Sequence, residues 1–387
     1  MSRLSELIRD LCPDGVDKRP LGELLAYTQP GPYLVSSKQY SPRFSTPVLT
    51  AGTTFLLGYS RETDGVYEAS KSKPVIIFDD FTTDSKWVDF PFKLKSSAAK
   101  ILTLANSQLA DIRFLFYLLQ TIRYQVGTHS RHWISRFAKI PVFCPPLEVQ
   151  QEIVRILDQF TTLEAELEAE LEARRKQYEY YREQLMRGAS MYETRALIDI
   201  SIAARSGGTP RSNNTSYYSG VVPWLRTQDI DFCDIWETSA TITEEGVRNS
   251  SAKWVPTGCV IIAMYGATAA KAAMNCIPLT MNQACCAFEI DDSKAVARYV
   301  YHWIASQYVM LRSQGEGSQN NLSVGKLKKV QIPLPSVYEQ RRIADILDRF
   351  DALVNDISSG LPAEIAARHK QYEYYRNMVL TFPERRR

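Results

Sequence analysis

The sequence predicts an α+β (mixed α/β) protein: two globular domains separated by two long antiparallel, coiled-coil-like helices, related by an internal pseudo-two-fold repeat. Three observations predict it. A chain of 387 residues is too long for one compact core. The seven letters KQYEYYR occur twice, at 176–182 and at 370–376. Each copy ends a segment whose apolar residues recur at helical spacing, and each segment follows a region of short β-like runs.

The repeat extends beyond these seven letters. PPLEVQQEIVRILDQF at 145–160 aligns with PSVYEQRRIADILDRF at 335–350 at an offset of 190, whereas the KQYEYYR copies align at an offset of 194. The four extra residues fall in SSGLPAEI, where Gly360 and Pro362 should interrupt or restart a helix. Two copies of one domain plus one helical segment therefore explain the chain.

The globular regions align more weakly. PVIIF, which starts at Pro74, faces CVIIA, which starts at Cys259, and IRFLFYLL faces ARYVYHWI, both at an offset of 185. Each region mixes short β-like runs with one helix-like stretch, which is typical of a mixed domain of ordinary size. The predicted division is an N-terminal arm at 1–20, a first domain at 21–146, a central helical region at 147–194, a second domain at 195–335 and a C-terminal helical region at 336–387.

The helical segments carry one apolar seam. In the first copy apolar residues recur at spacings of three, four and seven from Ile153 to Leu185, flanked by glutamates, and the second copy repeats the seam. A continuous helix over 147–186 would span roughly 60 Å. The other copy is the obvious partner for such a seam, and antiparallel pairing would hold the globular domains at opposite ends of a rod. The alternative is two unrelated amphipathic core helices.

Charge is distributed unevenly although the formal net charge is only +3. Lys and Arg outnumber Asp and Glu by 14 to 9 in residues 21–146 and by 13 to 11 in residues 195–335, while residues 147–186 carry 5 against 10. Basic domains on an acidic rod suit a polyanion bound at two places, although solvated surface charge explains the pattern equally well.

Several functional classes lack their motifs. No GxxxxGK[ST] loop, amino-methyltransferase motif or dinucleotide fingerprint is present, and the four histidines are too scattered for most metal sites. The carboxylates of FDDFTTDSKW are interpreted as loop polarity after a buried strand rather than as a nuclease cluster. No catalytic residue and no metal site are expected. Seven cysteines without a C-x-x-C pair and a charged N-terminus predict reduced thiols in a cytoplasmic protein.

The chain resembles the specificity subunits of type I restriction-modification systems. The order of domain, helix, domain, helix is that family's architecture. The stretches ELIRDLCPDGV, SGGTPRSNNTSYYSGVVPWLRTQDI, GEGSQNNLSVGKLKKVQIPLPSVYEQRRIADILDRFDALVNDI and the KQYEYYR helices also look like it. One departure is GTHSRHWISRFAKIPVFCPP in the first domain, where the second has GSQNNLSVGKLKKVQIPLPS.

The resemblance implies a DNA-recognition subunit without catalysis of its own. Each target-recognition domain would read one half of a bipartite asymmetric site in double-stranded DNA, and the helices would set the spacer. The helices and adjoining domain faces would dock two adenine methyltransferase subunits, which the nuclease and translocase subunits would join. No cofactor is expected on this chain, because its partners would bind S-adenosylmethionine, ATP and Mg²⁺.

Base reading requires donors and acceptors on loops beside a basic surface. The candidate DNA-binding residues of the first domain are Thr53, Thr54, Thr82, Thr83, Lys86, Trp87, Ser130, Arg131, His132 and Arg136. Those of the second domain are Arg205, Thr209, Arg211, Arg226, Thr227, Gln228, Gln319, Asn320, Asn321 and Lys326. Ordinary solvated loop polarity is the alternative for each one.

A second set of residues is expected to pack the helices. It comprises Phe160, Leu167, Tyr178, Tyr181, Phe350, Ile357, Tyr372 and Tyr375. Lys176, Arg182, Lys370 and Arg376 are expected to face the methyltransferase.

Three other functions remain open. The chain could be a DNA-binding or adaptor subunit of a related phage-defence complex, which neighbouring genes would reveal. It could be a structural adaptor that joins protein-binding domains without DNA, which a salt-dependent mobility-shift assay would reveal. A self-sufficient nuclease or methyltransferase is disfavoured by the missing motifs.

Overall fold

The computed structural model describes residues 2–52, 54–123, 132–134, 136–189, 191–315, 321–355 and 359–385. Contacts group the chain into two compact units. Unit 1 comprises Met1–Glu168 and Ile365–Arg387, and unit 2 comprises Ala169–Glu364. Both units mix helices with sheets, which confirms the predicted fold class. The bounds of the five regions given above stay a prediction.

Unit 1 contains three sheets. The first is four-stranded in the order β2-β8-β5-β6, the second is three-stranded in the order β4-β3-β7, and β1 pairs with β9. The strands are β1 (Lys18–Pro20), β2 (Leu25–Thr28), β3 (Thr46–Leu49), β4 (Leu56–Ser60), β5 (Val75–Asp79), β6 (Ser85–Val88), β7 (Lys93–Leu94), β8 (Ala99–Leu104) and β9 (Pro141–Phe143). The helices of this part of the chain are α1 (Ser2–Leu11), α2 (Leu21–Leu24) and α3 (Ile112–Leu119).

Unit 2 repeats this plan with one additional edge strand. Its sheets have the orders β11-β18-β15-β16-β13 and β14-β12-β17, and β10 pairs with β19. The strands are β10 (Thr194–Ala196), β11 (Ser201–Ser206), β12 (Tyr218–Leu225), β13 (Cys233–Ile235), β14 (Thr241–Ile242), β15 (Val260–Ala263), β16 (Ala272–Asn275), β17 (Thr280–Met281), β18 (Cys285–Ile290) and β19 (Gln331–Pro333). The helices are α5 (Glu244–Arg248), α6 (Ala297–Ser306), α7 (Tyr308–Ser313) and α8 (Val324–Lys328).

Strand register corrects one detail of the predicted repeat. Ile76 of β5 pairs with Leu102, and Val260 of β15 pairs with Phe288. These four side chains face the large helix-covered core of their own unit. Because side chains alternate between faces with a period of two, Ile76 corresponds to Val260 at an offset of 184. The offset of 185 inferred from PVIIF and CVIIA was wrong by one residue and would invert the strand.

Helix α4 (Leu147–Ala189) is continuous, as predicted, and begins in unit 1 and ends in unit 2. The second copy of the helical segment is divided into two helices, α9 (Val337–Asn355) and α10 (Leu361–Val379). The break lies at the predicted place, since Gly360 precedes α10 and Pro362 occupies its first turn, where a missing N–H costs no hydrogen bond. The second long helix is therefore two shorter ones.

The seam residues pack within each unit. In unit 1 the ring of Phe160 stacks on Tyr375 of α10 with centroids 5.4 Å apart, and Tyr372 packs edge-on to Tyr117. Since Glu164 bonds His369 while Phe160 contacts Tyr375, α4 and α10 run antiparallel there.

In unit 2 the ring of Phe350 in α9 stacks on Tyr181 at 5.5 Å and on Tyr178 at 6.3 Å. Burial raises the pKa of Tyr178 to about 12. Leu167 is half-buried, and Ile357 lies outside the described residues.

Two further features follow from the described part of the chain. No helix there is both long enough and apolar enough to cross a membrane. All seven cysteines are free thiols, and burial raises the pKa of Cys259 to about 11.

Candidate nucleic-acid interface

Three backbone hydrogen bonds gather separate loops of unit 1 at one edge of its sheets. Lys95 N donates to Leu49 O at 3.0 Å, Asp80 N donates to Ala98 O at 3.0 Å, and His132 N donates to Asp80 O at 2.9 Å. The first joins the ends of β3 and β7, the second joins the end of β5 to the segment before β8, and the third joins the end of β5 to the closing loop. We call residues 50–52, 54–55, 80–84, 95–98 and 132–134 the loop edge of unit 1.

Unit 2 forms the same three bonds. Asn282 N donates to Leu225 O at 2.9 Å, Met264 N donates to Ala284 O at 2.7 Å, and Leu322 N donates to Met264 O at 2.8 Å. The loop edge of unit 2 comprises residues 207–209, 225–228, 264–268, 282–284 and 321–323. Both units therefore bring several of the segments that carry predicted DNA-binding residues together on equivalent edges.

The first candidates of unit 1 lie on two turns. Thr54 is exposed in the β3–β4 loop, where its carbonyl accepts a hydrogen bond from Thr50 Oγ1. Thr82 is exposed and Thr83 is half-buried in the β5–β6 turn. The Asp79 carboxylate accepts hydrogen bonds from the backbone of this turn, and Thr83 has a φ of 64°, so the turn is tightly defined. Thr53 lies outside the described residues.

Lys86 and Trp87 follow this turn on β6. The Lys86 ammonium lies 2.8 Å from the carboxylate of Asp84, so its charge is paired within the hairpin. The ring of Trp87 lies 4.6 Å from the guanidinium of Arg113 and packs against Phe116, which turns much of the ring toward α3.

The closing loop of unit 1 is described from residue 132 onward, apart from residue 135. His132 is buried with 2% exposure and Arg136 is exposed. Trp133 is buried against Phe78 and Phe137. Ser130 and Arg131 lie outside the described residues.

Two glycines fit the opening of unit 2 into its sheet. A Cβ on Gly207 would lie 2.1 Å from the carbonyl oxygens of Met281 and Asn282, and one on Gly208 would lie 2.3 Å from Ser251 Oγ. Trp224 Nε1 donates to Gly208 O at 3.1 Å. Only glycine permits this approach, which fixes the backbone on either side.

The three candidates around these glycines differ in position. Arg205 on β11 is half-buried, and its guanidinium lies 2.5 Å from the Glu289 carboxylate. Thr209 is exposed and donates a hydrogen bond to Gln283 Oε1 on the neighbouring turn. Arg211 is exposed in the following loop.

The loop after β12 holds a compact polar group. Arg226 Nη2 and Gln228 Nε2 each lie 3.2 Å from Ser239 Oγ, and Thr227 O accepts a hydrogen bond from Thr268 at 2.8 Å. Within the described residues, Arg226 Nε is buried and has no hydrogen-bond acceptor.

The last candidates of unit 2 lie in its closing loop. Asn321 is exposed, and Lys326 on α8 donates from Nζ to Gln314 O at 2.7 Å. Gln319 and Asn320 lie outside the described residues.

Ser239 and Gln283 were missed by the sequence analysis. Each contacts a predicted residue through a side chain more than ten positions away. Gln283 belongs to MNQA between two apolar strands, and this polar insertion is the signal that could have identified it. Ser239 offers no comparable signal.

A matching joint connects the sheets of each unit to one of its long helices, α4 in unit 1 and α9 in unit 2. In unit 1 Gln150 Oε1 accepts from Asp111 N at 2.8 Å, and in unit 2 Gln340 Oε1 accepts from Val296 N at 2.9 Å. Nε2 of Gln150 donates to Pro145 O, and Nε2 of Gln340 donates to Pro335 O. Both glutamines are buried, so all of their amide contacts are made inside the protein.

An ion pair stands beside each joint. Arg113 Nε lies 2.8 Å from Asp158, and Arg298 Nε lies 2.6 Å from Asp348. Burial alone would raise the pKa of Asp348, but the hydrogen bond from His302 and the charge of Arg298 outweigh it and lower that pKa below its usual value.

The side chains on the loop edges are suited to binding DNA through hydrogen bonds. Hydroxyl, amide and guanidinium groups can donate to and accept from base edges and phosphates. Among the described residues no group of three or more His, Cys, Asp and Glu side chains could hold a metal ion.

Comparison with known proteins assigns the family. The model for the type I restriction modification DNA specificity domain matches residues 13–173 and 190–367. The chain is 42% identical over 401 residues to the type I restriction enzyme EcoR124I/EcoR124II specificity subunit of Escherichia coli, covering 99% of this chain and 98% of that protein.

Two solved structures share the fold. The crystal structure of the type I restriction-modification system S subunit from M. genitalium has a TM-score of 0.63 at 14% identity and covers 94% of this chain and 96% of its own. A structure described as the basis of complex assembly and conformational transition of the type I R-M system has a TM-score of 0.53 at 15% identity, with coverages of 92% and 97%. The chain belongs to the family of type I restriction-modification specificity subunits, and it is a non-catalytic DNA-recognition subunit with two recognition domains.

Proposed function

We propose that each unit reads one half of a bipartite, asymmetric site in double-stranded DNA. The observation that carries the proposal is the pair of equivalent loop edges, each fixed by the same three backbone hydrogen bonds but lined by different side chains. Equivalent frames with different polar groups suit two half-sites of unlike sequence.

The helices would set the spacer between the half-sites. Helix α4 runs without interruption from unit 1 into unit 2, so it provides a covalent connection of regular geometry. Half-sites read from one face of B-DNA lie roughly 34 Å apart, or one helical turn, which a helix of this length can span.

The KQYEYYR segments would help to dock two methyltransferase subunits. Tyr180 and Tyr374 are equivalent in the repeat and are 58% and 65% exposed. Packing within the units explains why Tyr178 and Tyr372 are the same, since both are buried, but it does not explain identity at exposed positions. Binding of the same partner at both copies does explain it, and exposed tyrosines are frequent in protein interfaces.

The remaining subunits would supply the chemistry. The methyltransferase would bring S-adenosylmethionine for adenine methylation, and nuclease and translocase subunits would bring ATP and Mg²⁺. This chain would choose the site, and the assembly would act in the cytoplasm.

Mapping N6-methyladenine across the genome, with and without this chain, tests the proposal. We expect a bipartite motif with a fixed spacer that disappears on deletion. Unchanged methylation would overturn it. The docking role is tested separately with Tyr180→Ala plus Tyr374→Ala, which should weaken methyltransferase assembly, while exposed Tyr338→Ala on α9 serves as the matched control.

A further inference from the structure

The loop edge of unit 1 rests on a buried ion pair. Lys100 Nζ lies 3.3 Å from Asp80 Oδ2, and each side chain is only 1% exposed. Lys100 also donates to Gln29 Oε1 at 2.9 Å and lies over the ring of Tyr27. Buried charges are costly unless paired and hydrogen-bonded, so this arrangement requires an explanation.

The second carboxylate oxygen of Asp80 reaches the closing loop. Asp80 Oδ1 accepts a hydrogen bond from Trp133 N at 2.7 Å, next to the bond from His132 N to Asp80 O. One residue thus binds two consecutive amides of the closing loop. On its other side, Asp80 begins the β5–β6 turn that carries Thr82 and Thr83.

Unit 2 forms the same backbone hydrogen bonds at its loop edge, but it has no ion pair at the corresponding positions. The shared backbone hydrogen bonds and strand register place Met264 at the position of Asp80, Cys286 at that of Lys100 and Leu322 at that of His132. These three residues are at most 1% exposed. The fold therefore forms with apolar side chains at these positions, and replacing a buried ion pair by apolar groups is often neutral or stabilising.

The difference lies in the loop that follows. In unit 2 Ser323, the counterpart of Trp133, caps helix α8 through its own hydroxyl, which accepts from Lys326 N. In unit 1 the described residues 136–140 form only a single 3₁₀ turn, and the amide of Trp133 is bonded by Asp80 instead.

We propose that Asp80, supported by Lys100, is a positioning residue for recognition of the first half-site. It couples the β5–β6 turn to the closing loop, so that the polar groups of both meet the DNA in one fixed arrangement. The inference rests on the proposed function, and it assigns to Asp80 no contact with DNA.

The test replaces the pair by its counterparts in unit 2, Asp80→Met with Lys100→Cys, in the full chain assembled with its methyltransferase. Methylation is measured on DNA libraries in which one half-site at a time is randomised. We expect selectivity at the first half-site to fall roughly tenfold. Selectivity at the second half-site should be unchanged.

A second variant separates positioning from charge. Asp80→Asn with Lys100→Met keeps an oxygen that can accept from Trp133 N, and it should retain selectivity at the first half-site. The control, Glu62→Gln, disturbs another partly buried ion pair of unit 1, formed with Lys93 in the other sheet, and should change stability only.

The outcomes are distinct. Unaltered first-half-site selectivity in the Asp80→Met, Lys100→Cys variant overturns the inference. Loss of that selectivity in the Asp80→Asn, Lys100→Met variant also overturns it. Failure of the first variant to assemble also overturns it, because the pair would then be structural. If the wild-type complex methylates no bipartite sequence, the proposed function itself fails.

Discussion

Tyr117 and His302 occupy equivalent positions in α3 and α6, and each bonds an aspartate of a long helix at 2.5 Å, Tyr117 to Asp158 of α4 and His302 to Asp348 of α9. Different side chains thus make the same connection in the two units. The arginine of each joint completes a three-residue group around a carboxylate.

Removing either carboxylate should destabilise its unit. We expect Asp158→Ala and Asp348→Ala each to lower the free energy of unfolding by about 1–3 kcal/mol, because each removes the carboxylate that an arginine and a second donor share. Arg298 keeps a second carboxylate partner, Asp234, so the Asp348 variant should lose the less of the two. Urea denaturation measures the change. Asp345→Ala, at an exposed position of α9, is the control and should stay near the wild type. Equal changes in the free energy of unfolding at all three positions would show that Asp158 and Asp348 do not stabilise their units through these bonds.

Two aspartates of α9 should respond to pH with opposite sign. The pKa of Asp348 is lowered in the fold, so its stabilisation is present above the unfolded-state pKa of about 3.9 and is lost as the pH falls through the folded value. Burial raises the pKa of Asp351, so its ionised form costs stability at neutral pH.

Asp348→Asn should therefore destabilise the protein at pH 7 and matter less below pH of about 4. Asp351→Asn should be neutral or stabilising at pH 7, with that gain disappearing in acid. Thermal unfolding across the pH range measures both, and effects of the same sign would refute the assignment.

The helix seam can be probed at two neighbouring leucines. Leu167 is half-buried, whereas Leu163 is 46% exposed. Leu167→Lys should loosen the helices and weaken methyltransferase assembly, since a charge would enter the seam. Leu163→Lys should have a smaller effect. Size-exclusion chromatography compares the fraction of each variant that assembles with the methyltransferase. If the two variants assembled to the same extent, Leu167 would not be part of the packed seam.

Two glycines should respond oppositely to alanine. Gly207→Ala would force a Cβ to within 2.1 Å of two carbonyl oxygens, so it should shift the loop edge of unit 2 and impair recognition there. Gly188→Ala on α4 meets no atom within 4 Å and should stabilise the protein by about 0.5–1 kcal/mol. Unfolding and half-site selectivity are the measurements; a silent Gly207 variant would contradict the close approach.

Base contacts and phosphate contacts are distinguishable in unit 2. Arg226→Ala should reduce selectivity at the second half-site by about 1–3 kcal/mol, since its guanidinium lies on the loop edge beside the amide of Gln228. Arg211→Ala, at an exposed position, should weaken binding uniformly and reduce the salt slope by about 1. Binding titrations at several salt concentrations compare the two variants. If Arg211→Ala lost selectivity and Arg226→Ala only reduced the salt slope, the assignment of base contact and phosphate contact would be reversed.

The sequence predicts the helices better than the recognition surfaces, for physical reasons. A seam from Ile153 to Leu185 and the break at Gly360 are local patterns that survive without knowledge of tertiary contacts. Asp80 could not be identified from a local pattern, because both of its contacts are distant in sequence. It pairs with Lys100 on another strand, and its carboxylate accepts a hydrogen bond from the backbone amide of Trp133. The interpretation of FDDFTTDSKW as loop polarity after a buried strand did not distinguish Asp80, which is 1% exposed, from its half-buried neighbour Asp79.

The loop edges of both units are held by bonds between main-chain atoms, which every amino acid except proline can supply. Residues in and beside the loop edges can therefore be substituted while this main-chain frame is kept. Unit 2 illustrates this, because it has Met264 and Cys286 at the positions that Asp80 and Lys100 occupy in unit 1. Such a frame makes specificity evolvable: new DNA targets become accessible through changes that leave folding intact.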